Sequence, residues 1–368
     1  MQVICPDCGA KAALTPKRWR CDCGGAWEPV SNDVVVFDDQ AYGVWRYRRM
    51  YGLDFQQPLY RMGSGATPLL SLNVKEREVL LKLEYMAPTA SFKDRGAEVM
   101  VNILKHQGIS RVVDDSSGNA GAAVAANAAR AGLAADIFVP AYASPAKQAQ
   151  IAVYGAHIHP IPGARVQAKL AALKMAEESG PETALASHAY HPGFLLGQES
   201  LAWELWEQLG GRAPDWYVVP VGQGVHLLGV WLGFQRLKKA GLAAKLPRMI
   251  AVQPALLAPI RRALDAGLDE IPPMEAQRPS LAEGLAIASP VRGRRLLQAI
   301  RETGGDCITV SEEGIVQAQR DLAQQGLYVE PTSAAAYAAL DAVLARARAS
   351  DIVILPLTGS GLKGSPRV

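Results

Sequence analysis

The sequence predicts an α/β fold: two interlocked lobes with parallel-rich sheets flanked by helices, behind a short cysteine-bearing module. Three observations predict it. From about residue 79, short β-rich runs alternate with Ala-rich stretches of helical spacing, and such alternation builds parallel sheets from βαβ units. The 368 residues are enough for about two domains and an appendage. Four of the five cysteines fall within the first 23 positions, apart from the alternating region.

Taken in order, residues 1–30 form the appendage. Cys5 and Cys8 are followed by Cys21 and Cys23, two tight thiol pairs of the kind that hold one tetrahedral zinc in a ribbon too short to build a core. The second pair has one intervening residue where two is usual. A closed four-thiolate site is structural, with no open position for catalysis. Strands are expected at 79–84, 111–114, 135–139, 157–161, 215–221, 249–252 and 351–357, with helices at 93–107, 120–131 and 145–154. The lobes are drawn as 31–83 with 161–368 (large) and 84–160 (small). Open α/β sheets place ligands at the carboxyl ends of their strands.

Composition narrows the function. Hydrophobic residues make up 49%, charged residues 20%, and the net charge is +3 with no basic block. That argues against nucleic-acid and membrane-surface partners, which need clustered Lys and Arg. No apolar run is long enough for a bilayer span. The N-terminus lacks signal-peptide layout, so a cytoplasmic protein with a small-molecule substrate is expected, with a homodimer as its assembly.

Four segments combine small residues, a turn and a polar or reactive side chain. Ser91, Phe92, Lys93, Asp94 put a lysine at a helix start, where a cation opposes the helix dipole and so needs a function. Ser116, Ser117, Gly118, Asn119 follow a strand and open a helix, an anion nest. Gly222, Gln223, Gly224, Val225 and His226 follow another strand and suit a phosphate. Thr358 lies in a polar turn at a strand end. Each alone is weak, and the 222–224 glycines lack the rest of a dinucleotide fingerprint. Together they supply what pyridoxal phosphate needs: a lysine, a phosphate nest, a carboxylate nest and a hydroxyl for the pyridine nitrogen.

The chain resembles the threonine synthases and their close paralogues among the tryptophan-synthase-β-like (fold type II) pyridoxal-phosphate enzymes. The resemblance runs through Tyr42 to Arg48, the Gly63 to Leu69 turn with Thr67 and Pro68, the Ser91 to Gly96 lysine motif, Ser117 to Asn119, Val329 to Ser333, and Thr358 to Lys363. The cysteine ribbon resembles the N-terminal module of many members. The resemblance implies that the larger lobe binds pyridoxal 5′-phosphate and that Lys93 is the Schiff-base lysine and proton shuttle. Asn119 would bond the 3′-oxygen, and Ser91, Ser117 and Gly118 would hold the substrate carboxylate. Residues 222–226 would wrap the phosphate, and Thr358 would meet the ring nitrogen. The implied activity is conversion of O-phospho-L-homoserine and water to L-threonine and phosphate, in amino-acid biosynthesis.

The pattern breaks near the substrate. Family members carry a polar run ending in Arg before Glu-Gly-Gln. Here Phe194 stands at the arginine, Ala189 at the serine, and His188 and His191 flank them. Losing a bidentate guanidinium matters at a dianion site. Either Lys147, Arg165, His188 or His191 restores the charge, or the enzyme is a paralogue taking another β- or γ-substituted amino acid, such as a serine or threonine deaminase. A non-catalytic relative is the third reading, opposed by the retained Lys93. On this alignment Phe194→Arg would increase use of O-phosphohomoserine.

Overall fold

The alternation becomes thirteen strands among the described residues, 1–30, 34–143, 145–276 and 278–364 of a computed structural model. Along the chain they are β1 (Gln2–Ile4), β2 (Lys11–Ala13), β3 (Glu28–Pro29), β4 (Leu69–Val74), β5 (Arg77–Lys82), β6 (Arg111–Asp114), β7 (Ala134–Pro140), β8 (His157–Ile161), β9 (Thr183–Leu185), β10 (Trp216–Pro220), β11 (Arg248–Pro254), β12 (Asp306–Val310) and β13 (Val353–Pro356). The chain forms two compact units, Met1–Ala66 with Ala87–Ser200, and Thr67–Met86 with Leu201–Val368.

The first unit carries the antiparallel ribbon sheet β2-β1-β3 and a parallel sheet of order β8-β7-β6-β9. In β7, six of seven residues are buried, as expected for a strand covered on both faces. The crossovers are α2 (Asn119–Ala131), α3 (Pro145–Val153) and α4 (Arg165–Glu178), and α1 (Lys93–His106) leads into β6. Alanines dominate α2 and nearly all are buried, and Gly132 ends the helix with a left-handed φ of 69°, the usual glycine stop. The next helix, α5 (Pro192–Gln208), contains the boundary between the units.

The second unit is a mixed sheet of order β12-β11-β10-β13-β5-β4. All its pairs are parallel except β4 with β5. Its core gathers Leu81, Val218, Ile250, Val252 and Leu355, all fully buried. The α/β class stands, with one antiparallel hairpin that the periodicity did not show. That hairpin turns at Lys75 and Glu76, with φ of 50° and 62°. Two left-handed residues make the tight hairpin turn that Asn-Gly normally marks, and without that marker β4 reads as loop.

The compact units also divide the chain differently from the expected lobes. Residues 31–66 and 161–200, drawn into the large lobe, belong to the unit of Lys93, and the ribbon belongs to it too. The reason is long-range pairing: β9 completes the β6 sheet, which local composition cannot reveal. No described helix is long and apolar enough to cross a membrane.

Candidate active site

In the first unit, Lys93 is the first residue of α1. The cation at this helix end is offset by Asp94, a fully buried carboxylate that accepts from the Thr89 amide and hydroxyl at 2.7 Å each. An acid in the first turn is the favourable partner of the dipole. The turn entering the helix is strained: Ala90 has φ of 60°, at a cost of about 1–3 kcal/mol tolerated mainly at functional positions. Lys93 Nζ lies 4.6 Å from the centroid of the Phe92 ring and 5.8 Å from that of Phe194. Ser91 is fully buried, and its Oγ has no partner among the described residues.

Phe194 is fully buried against the backbone of α1. A Cβ at Gly96 would lie 2.5 Å from its ring, so the glycine admits the phenylalanine. The ring of His188 stands edge-on to Phe194, with centroids 5.9 Å apart. His188 is itself buried, and its Nδ1 lacks a partner among the described residues. Burial, then the charges of Lys93 and Arg165, hold its pKa well below the usual imidazole value, so it is neutral near pH 7. His191 accepts from the Gly193 amide at Nδ1, 3.0 Å. A substitute cation at His188 is therefore disfavoured. Arg165 lies exposed at the start of α4, and the Lys147 side chain falls outside the described residues.

The C-terminal ends of β6 and β9 are adjacent, the Ala186 amide donating to the Val113 carbonyl at 2.7 Å. This brings the turn 115–118 beside 186–188. Ser117 and Gly118 lead into α2, and Asn119 is its first residue, with no side-chain cap on the helix amides. Asp114 ends β6, fully buried, and neither carboxylate oxygen has a partner among the described residues. Burial, then the adjacent Asp115, pushes its pKa well above the usual range. Asp114 escaped the sequence reading. Its signal was an acidic pair ending a strand directly before a small-residue turn.

In the second unit, β10 runs into the loop 221–224 and the helix α6 (Val225–Lys239). A Cβ at Gly222 would come within 2.5 Å of the Gly284 carbonyl, and Gly224 has φ of 80°. Only glycines allow so tight a loop at a helix start, where amides favour an anion. Gln223 turns its side chain to accept from the Val291 amide at 3.1 Å, and His226 Nε2 lies 2.6 Å from the Tyr217 hydroxyl. These two polar side chains thus have partners within the unit, and Val225 is buried. Thr358 follows β13; its amide donates to Ser333 Oγ at 2.8 Å. The buried Thr358 hydroxyl has no partner among the described residues. An orphaned hydroxyl and a glycine cradle fit the ring nitrogen and phosphate of pyridoxal phosphate.

A second buried feature of this unit was not visible in the sequence. Lys82, fully buried, donates to Glu204, to the Thr67 carbonyl and to Gln208, while Thr67 Oγ1 donates to Glu84 at 2.6 Å. This network pins the Thr67-Pro68 turn.

Comparison decides the family. A family model described as "Pyridoxal-phosphate dependent enzyme" matches residues 60–359. The chain belongs to this family. Its class, expected from the sequence, is that of a pyridoxal-phosphate-dependent lyase of fold type II. It is 30% identical over 377 residues to a threonine synthase of Methanocaldococcus jannaschii, covering 98% of this chain and 92% of that protein. It is 34% identical over 325 residues to a threonine synthase of Synechocystis sp., covering 86% and 82%. A solved T.th. threonine deaminase matches with TM-score 0.69 and 29% identity, covering 82% of this chain and 94% of that one. Maize serine racemase shares the fold, with TM-score 0.68, 24% identity and coverage of 80% and 88%.

At the N-terminus, the thiols of Cys5, Cys8, Cys21 and Cys23 lie within 4.8 Å of one another. The Sγ–Sγ separations are 3.5 Å for Cys5–Cys23 and 3.6 Å for Cys8–Cys21. A zinc with Zn–S bonds of about 2.3 Å requires tetrahedral edges of about 3.8 Å, so the four thiols fit this ion.

Proposed function

We propose that this enzyme carries out elimination and replacement on an amino acid, in the manner of a threonine synthase: O-phospho-L-homoserine and water give L-threonine and phosphate. The observation that carries the lyase chemistry is Lys93 at the first turn of α1, held by the Asp94–Thr89 bonds and a strained Ala90. The threonine synthases at 30% and 34% identity support this substrate. Bound pyridoxal phosphate supplies an electron sink for the pair left when a substrate proton departs. Lys93 Nζ carries the covalent attachment and moves protons at substrate carbons. The amides of 117–119 and the Ser91 hydroxyl hold the substrate carboxylate, and Asn119 orients the cofactor. Residues 222–226 take its phosphate, and the Thr358 hydroxyl serves its ring nitrogen. The four ribbon thiolates hold one structural zinc, and the assembly is a cytoplasmic homodimer.

One observation favours a second reading, elimination from an unphosphorylated substrate such as serine or threonine. The residues at the family's phosphate-clamp positions are an apolar ring and a neutral imidazole. Losing one charged contact of this kind costs about 2–5 kcal/mol. Assay of the holoenzyme with O-phosphohomoserine, homoserine, serine and threonine tests the choice. The threonine synthase reading expects threonine and phosphate in equal amounts from O-phosphohomoserine. Ammonia from serine or threonine with no turnover of O-phosphohomoserine supports the second reading instead.

A further inference from the structure

The ribbon is built into the wall that carries the substrate-side residues. Trp19, between the two thiol pairs, is 7% exposed and packs with Val113, Phe138, Ala168, Ala172, Ala176 and Leu185. Val113 immediately precedes Asp114, and Leu185 ends the strand that leads to His188. Trp19 also meets Tyr190, which packs against the same cluster, edge to face, with centroids 5.0 Å apart and planes at 82°. Tyr190 lies between His188 and His191. It is fixed further by Lys169, whose Nζ donates to its hydroxyl at 3.0 Å and sits 5.0 Å from its ring centroid.

The ribbon is anchored on both flanks of this contact. Lys17 Nζ donates to the carbonyls of Ala176 and Ser179, at 2.8 and 2.9 Å, in the last turn of α4 and at its C-cap. A cation there also complements the helix dipole. Gln107 Nε2 donates to the Leu14 carbonyl at 3.1 Å, and the Arg20 guanidinium lies 4.6 Å from the Trp19 ring centroid. The segment 14–20 thus spans α1 and α4 and presents one large ring to the 187–191 loop. A ribbon this short has little core of its own, so its shape depends on the metal.

We propose that zinc held by Cys5, Cys8, Cys21 and Cys23 makes the ribbon a brace, with Trp19 as a positioning residue that fixes Tyr190 and through it the loop bearing His188. The kinetic consequence rests on the reading of this loop as substrate-binding. Metal occupancy then controls substrate affinity from outside the active site.

The test compares zinc-loaded holoenzyme, the same protein after chelation, and Trp19→Ala. Readouts are metal content, hydrogen exchange of peptides covering 186–191, and KM and kcat for whichever amino acid the enzyme turns over. The brace predicts one zinc per chain. It also predicts exchange at 186–191 faster by about tenfold on chelation or in Trp19→Ala, with β10 and β11 unchanged. KM should rise by about the same factor with kcat nearly constant. A protein that binds no zinc, or one whose 186–191 exchange ignores chelation, overturns the proposal. Faster exchange with unchanged KM upholds the brace and removes the substrate role of the loop. Chelation of the unaltered protein keeps the test valid if Trp19→Ala fails to fold.

Discussion

Gly96→Ala reads out whether Phe194 is packed into the helix that carries Lys93. A new Cβ would sit 2.5 Å from the Phe194 ring, about 0.9 Å inside an ordinary 3.4 Å contact. The ring is fully buried and has little room to retreat. Overpacking of this kind costs about 1–3 kcal/mol. Replacing an interior helix glycine by alanine otherwise gains about 0.8–1 kcal/mol. The net expectation is a loss of up to about 2 kcal/mol in the native background. In a Phe194→Ala background the clash is gone and the sign reverses, to a gain of up to about 1 kcal/mol. Denaturant unfolding of the four proteins of this double-mutant cycle measures the coupling. If Gly96→Ala stabilises the native background as an ordinary helix glycine would, the packing of Phe194 onto α1 is wrong. The same packing bears on Phe194→Arg: the guanidinium would enter a fully buried place whose nearby charge is Lys93. We therefore expect that variant to lose stability rather than gain turnover of O-phosphohomoserine, reversing what alignment of the sequence suggests.

Three further outcomes follow from the same geometry. Lys82→Met leaves Glu204 beside an apolar side chain in a buried site and should cost about 3–5 kcal/mol; Lys82→Met with Glu204→Gln should recover part of it in the same unfolding assay. Because burial lowers the His188 pKa, the unfolded chain takes up protons there more readily. The His188 contribution is complete above the unfolded value near 6.5 and is lost as pH falls toward the folded value. His188→Asn should flatten that part of the stability profile, and an unchanged slope would count against a neutral His188. Asp114 has the opposite sign: its raised pKa gives stability present below about 3.8 and lost as pH rises through the folded value. Asp114→Asn should therefore raise the denaturation midpoint at pH 7 relative to pH 4.

What could be read in advance was local. Continuous apolar runs gave β7, β10 and β11, because strands buried on both faces leave that signature. The lysine at a helix start and the Ser-Gly-Asn turn were legible because both are short motifs with a backbone reason. Features that depend on distant residues were not. Lys82 and Glu204 are 122 positions apart, and a lone lysine in a strand gives no hint of a buried partner. Phe194 was identified as a departure from a family pattern, but nothing local showed that Gly96 makes room for its ring. The reach of Trp19 from a zinc-ribbon-like segment to Tyr190 is hidden for the same reason.

The proposed chemistry requires that pyridoxal phosphate be joined to Lys93. Borohydride reduction of the holoenzyme, followed by digestion and peptide mapping, measures it directly. The reduced cofactor is expected on the peptide containing Lys93, and Lys93→Ala is expected to lose the visible absorbance band of the bound cofactor. Recovery of the label on another lysine, or an unchanged band in Lys93→Ala, would contradict it.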